Sequence, residues 1–189
     1  MKTHCLQIGA VVGLLLLIAI APAWGQRHRD PFTQAEIDQI RDTSWEPQLR
    51  LALYVKFARA RLVDLEQMRS DPKTKDRAQK IHDHLDDFLL IYDELNDNID
   101  TYVDRKNDIR KPLKLIVDAD TEFQAKLRAL RDAADVPPAE SKQYEFVLSN
   151  ALDTVDGSSP DHRKTLADQE EMAKHRKKSD AAQAGGRPE

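Results

Sequence analysis

Residues 26–156 contain no glycine. Glycine lets a backbone enter the left-handed region or approach a ligand closely. Phosphate-cradling loops, dinucleotide fingerprints and nucleophile elbows all depend on it. A stretch of this length without it must be built from elements that need no special backbone. Helices punctuated by proline are the simplest solution. The expected fold is therefore all-α: an antiparallel helical bundle of four to five helices joined at prolines.

Residues 1–25 have the pattern of a cleavable secretory signal. Lys2 supplies the positive start, an apolar run spans Ile8 to Ala21, and Pro22 breaks it. Ala23-Trp24-Gly25 then offers small residues before a cut at Gln26. The apolar run is short for a membrane span, which needs about 20 residues. The expected location is periplasmic or extracellular, with no stable membrane span after cleavage. Cys5 is the single cysteine and lies in the signal, so the mature chain would have no disulfide, thiol catalyst or cysteine-held zinc.

Lys2 is also the only charged residue of the signal, and its removal takes the net charge from −4 to −5, with histidine neutral. An acidic chain lacks the basic footprint expected of a nucleic-acid partner. Hydrophobic residues at 40% against 33% charged suit helices that each bury one stripe.

Residues 26–32 read as a linker, 33–156 as the bundle, and 157–189 as a charged, largely disordered tail that begins at Gly157-Ser158-Ser159. Within the bundle, Thr33-Gln34-Ala35-Glu36 is a capping box, and Thr43-Ser44-Trp45-Glu46 reads as a second. Asp71-Pro72 reads as an N-cap with proline at the first helical position. Residues 49–57 alternate like a strand, but Leu51, Val55, Ala58, Leu62 and Leu65 share one helical face, so a helix is expected. The last clear helix is expected over 139–156.

The strongest periodicity is a heptad over 81–134. It runs Ile81, Leu85, Phe88, Tyr92, Leu95, Ile99, Tyr102, Lys106, Ile109, then Leu113, Ile116, Asp120, Phe123, Leu127, Leu130 and Ala134. A sustained heptad of this kind packs against another helix, either as one long helix kinked at Pro112 or as a helical hairpin. Proline in a helix interior is destabilising by about 3 kcal/mol, so a turn just before Pro112 is expected, with Ile99 opposite Phe123, Leu95 opposite Leu127, and the Tyr102 hydroxyl near Asp120.

Few residues nominate chemistry. His82 and Asp86, at i and i+4, and His84 and Asp87, at i and i+3, have the spacing of divalent-metal ligands on a helix. The two histidines lie about 200° apart around a straight helix, so they cannot share one site. Asp120 on the seam is a second candidate ligand-binding position. Asp93, Asp97, Asp100, Asp104 and Asp108 form an acidic ridge, and Lys174 to Lys178 a basic run. Nothing supplies a nucleophile, a base and an oxyanion site together. The expected function is non-enzymatic: a binding, scaffold or chaperone-like module acting through helix faces on a protein partner or a second copy. Leu53, Phe57 and Ala60 are the candidate partner-binding face. The alternative is a bundle that binds a divalent metal or small ligand at His82–Asp87 or Asp120.

Overall fold

The computed structural model describes residues 30–71, 73–134 and 136–185. The expected signal and most of the linker lie outside them. The described residues form six helices and no strand: α1 Gln34–Asp42, α2 Pro47–Ser70, α3 Arg77–Asp104, α4 Arg110–Arg131, α5 Pro138–Ser141 and α6 Glu145–Gly185. None is long and apolar enough to cross a membrane.

Helices α2, α3, α4 and α6 form an up-down-up-down bundle. Cross-links between them fix its geometry. Arg50 donates to Asn98 and Arg61 reaches Asp87, so α2 and α3 are antiparallel. Lys114 pairs with Glu170 and Arg128 with Asp156, so α4 and α6 are antiparallel too. Arg59 with Glu122 and Lys126 with Glu66 run α2 parallel to α4. Each of α2 and α6 packs against both α3 and α4. Helices α3 and α4 therefore face each other across the diagonal, and their aromatic side chains meet in the centre.

Fourteen of the sixteen heptad positions are buried. The two that are not, Lys106 and Ala134, lie just past the ends of α3 and α4. The helix break is at 105–109, earlier than the turn expected before Pro112. Lys106 adopts a left-handed φ of 59°, the Lys106 N–H donates to the Val103 carbonyl, and the Asn107 N–H donates to Tyr102. This is the Schellman stop that glycine usually makes. Pro112 falls in the first turn of α4, where a missing N–H leaves no intrahelical bond unmade. The earlier turn shifts the register. Phe123 meets Phe88 at 5.3 Å between ring centroids and Tyr92 at 6.2 Å, not Ile99.

Other boundaries follow from local chemistry. Residues 49–57 are helical, within α2. The Thr33–Glu36 capping box forms as expected. Thr43 does not cap α2: its hydroxyl turns back to the Gln39 and Ile40 carbonyls and closes α1. Asp71 ends α2, with its carboxylate accepting from the Lys73 N–H. Helix α3 starts at Arg77, after Asp76 in the left-handed region.

The largest correction is at the expected domain end. Helix α6 continues through Gly157 and Pro160 to Gly185, because the seam Tyr144, Leu148, Ala151, Val155 carries on with polar residues. Ser159, His162 and Gln169 are buried, and Leu166 is half-buried against the core. Past Gln169 the helix overhangs the bundle. Its 41 residues span about 62 Å at 1.5 Å per residue, against about 33–42 Å for the 22 to 28 residues of α2, α3 and α4.

Candidate functional site

The face of α2 expected to receive a partner is already occupied. Helix α1 runs back along α2 and seats Phe32 against Tyr54 and Phe57, with centroids at 6.0 and 6.1 Å. Phe57 is 2% exposed, Leu53 is half-buried against the core, and Ala60 is half-buried. The partner helix of this face is the chain's own α1, which sequence periodicity could not assign because α1 is only nine residues long.

Glu36 pins α1 there. Its two oxygens accept from Arg61 at 3.0 and 2.6 Å, and Arg61 also donates to the Pro31 carbonyl at 2.7 Å. Burial opposes ionisation of Glu36, yet the Arg61 hydrogen bonds, the Thr33 N–H and the guanidinium charge outweigh it and hold the carboxyl below its usual range. Asp87, one of the residues nominated for metal, is buried on the other side of Arg61 at 3.9 Å. His82 and His84 are half-buried and Asp86 is exposed. His82 Nδ1 lies 3.8 Å from the adjacent Asp83. No group of three or more histidine, cysteine or carboxylate side chains is gathered to hold a metal among the described residues.

Asp120 is the centre of the main polar cluster. It is fully buried in the bundle. Tyr92 from α3 donates to its Oδ1 at 2.7 Å, and the His162 Nδ1 from α6 lies 2.9 Å from its Oδ2. Tyr92 takes the place expected for Tyr102, a consequence of the earlier turn. Beyond it, His162 Nε2 is 3.0 Å from the Asn96 amide oxygen, and Asn96 donates to Ser158 at 3.1 Å. Burial, with the charge and hydrogen bond of Asp120 behind it, pushes the Tyr92 phenol far above its usual range, so Tyr92 stays a neutral donor. A His–Asp couple is the base half of many catalytic sites. Here both members are sealed in the core and Ser158 lies on Asn96 rather than on His162, so the cluster clamps three helices together.

A second feature is open to solvent. At the end where α6 overhangs, a groove of about 460 Å³ lies between the α3–α4 turn and α6. Val103, Met172 and Ala173 give it an apolar floor, with Val103 38% and Met172 57% exposed. Lys106, Arg110, Arg176 and Lys177 line its walls with Asp108 and Asp180. Arg110 is committed to Asp108 at 2.8 and 2.6 Å, and this hydrogen-bonded pairing holds the Asp108 carboxyl down to about 2. Arg176 adds its charge to the hold on Asp108, and Lys106 and Lys177 complete the basic lining. The acidic ridge of α3 is exposed beside this end. Asp93 on it is raised above its usual range by burial, then by its neighbours Asp97 and Glu94.

His162 and the groove escaped the sequence reading because both sit on the part of α6 read as a tail. The signal was present: Ser159, His162, Leu166 and Gln169 continue the seam at spacings of three and four. Comparison with known proteins finds no matching family model, no similar curated protein and no similar solved structure.

Proposed function

We propose that this chain is an exported, non-enzymatic binding module of the cell envelope, and that it holds an acidic helical segment of a protein partner. The observation that carries the reading is the groove under the α6 overhang. An apolar floor flanked by Lys106, Arg176 and Lys177 offers burial to an apolar stripe and charge to an acidic edge. Complementary charge of this kind steers association and sets specificity more than it sets raw affinity. The helix-in-groove mode is a common way for a rigid bundle to take a peptide.

The reading is tested with a fluorescent acidic amphipathic peptide and the full chain. Saturable anisotropy is expected at low salt, weakening as salt rises, and lost in a Lys106→Glu, Arg176→Glu, Lys177→Glu triple variant. Equal binding by the triple variant, or none by the wild type, refutes it. Export is tested separately, by expression with residues 1–25 in place. A mature mass beginning at Gln26 supports it, and retention of the whole chain in the cytoplasm refutes it.

A further inference from the structure

The two halves of α6 are held by different chemistry. The half before Gly157 seats Val147, Leu148, Ala151, Leu152 and Val155 in the core, with Tyr144 buried just ahead of it. The half after it seats one large apolar residue, Leu166, and only partly. Its other holds are polar: His162 to Asp120 and Asn96, Ser158 to Asn96, Gln169 to the turn, and Glu170 to Lys114 of α4. The Gln169 amide accepts from the Ile109 N–H at 3.0 Å and donates to the Asn107 carbonyl at 3.1 Å.

The junction between the halves is weakened in two ways. Gly157 sits in the helix with nothing within 4 Å of where a Cβ would be, so no close packing requires glycine there. Pro160 lies inside the helix and removes the bond its N–H would make to the Asp156 carbonyl. Polar groups released from such a seat regain hydrogen bonds to water, so the strap's own side chains oppose detachment less than apolar ones would, and the main cost is the apolar surface it uncovers.

From the hydrogen bonds at its two ends, this half lies over Ile99 and Tyr102 of α3, over Ile109 at the cap of α4 and over Leu113 and Ile116 within α4, all buried. We propose that residues 158–180 form a detachable strap, hinged at 157–160, and that the channel it leaves is a second docking site for an amphipathic partner helix. The channel dictates its occupant. Asp120 and Tyr92 require a hydrogen-bonding side chain where His162 stands, and the open N–H of Ile109 and carbonyl of Asn107 require an amide where Gln169 stands. An apolar residue at the Leu166 position fills the space between. The identity of the occupant as a partner segment rests on the binding role proposed above, whereas the opening of the strap does not.

Hydrogen exchange on the full chain tests the opening. Amides of 161–180 are expected to exchange about tenfold or more faster than those of 147–155, as for separate cooperative units. His162→Ala should accelerate the strap alone. Gly157→Ala with Pro160→Ala should slow strap exchange toward that of 147–155. Equal exchange in the two stretches, or equal acceleration of both by His162→Ala, overturns the strap. A labelled peptide of residues 158–180 then probes the channel. It should bind the His162→Ala chain saturably and at least about tenfold more tightly than the wild type, whose own strap competes. No saturable binding to either chain overturns the docking site. A chain that binds the acidic peptide while its strap exchanges together with 147–155 keeps the proposed function and loses this inference.

Discussion

Lys106 holds a position made for glycine. Its φ of 59° places the β-carbon against the following carbonyl, a strain of about 1–2 kcal/mol for an L-residue. The two backbone bonds that close the turn, from the Lys106 N–H to Val103 and from the Asn107 N–H to Tyr102, involve no side chain. Lys106→Gly should therefore keep the turn and relieve the strain. Glycine's larger unfolded-state freedom offsets about 0.5–1 kcal/mol of that. The net expectation is a gain of about 0.5–1 kcal/mol, or about 1–4 °C in Tm for a chain of this size. Asp76 provides the internal comparison. Its φ is 52°, and its side chain makes no capping bond. Aspartate visits this region more readily than lysine, so Asp76→Gly should gain less. Guanidinium unfolding followed by circular dichroism, with an unchanged m-value, measures both. A neutral or destabilised Lys106→Gly chain would refute the reasoning, as would a larger gain at Asp76.

Three further outcomes are expected. Asp120→Ala strands the Tyr92 hydroxyl and the His162 Nδ1 in the core, at about 1–3 kcal/mol each, and chemical unfolding should show a loss of at least 2 kcal/mol. Phe57→Ala should lose about 3–5 kcal/mol as a core truncation, whereas retained stability would return that face to the surface. Glu36 is held below its usual range, so its contribution is present above the unfolded glutamate value near 4.3 and is lost as pH falls through the lower folded value. Amide resonances of α1 should therefore shift toward an undocked state in acid, and Glu36→Gln should remove that pH dependence.

The all-α class and the central seam were legible because burial imposes a 3.5-residue period on composition, and fourteen of sixteen positions obey it. Asp120 stood out for the same reason, as a carboxylate at an apolar position. Its partners did not, because they depend on register, and the register was set by a left-handed lysine that carries no glycine signal. The continuation of α6 was hidden differently. Reading hydrophobicity alone ends the helix at Val155, although the spacing runs on through Ser159, His162 and Gln169. The nominated metal residues had the right spacing, but the bundle turns Asp87 toward Arg61 and leaves Asp86 in solvent.

The diagonal placement of α3 and α4 has a consequence for how the chain reaches its fold. The most extensive helix contacts, α2 with α3 and α4 with α6, are between helices adjacent or nearly adjacent along the chain. Each pair is thus a hairpin that can close over a short loop, the cheap end of the entropy scale. Only the meeting of the two hairpins requires distant segments to find each other, and the Phe88–Phe123 contact and the Asp120 clamp both lie at that meeting. Local pairing of this kind favours rapid folding. It also makes 105–109 the natural place to divide the chain into two pieces that recombine.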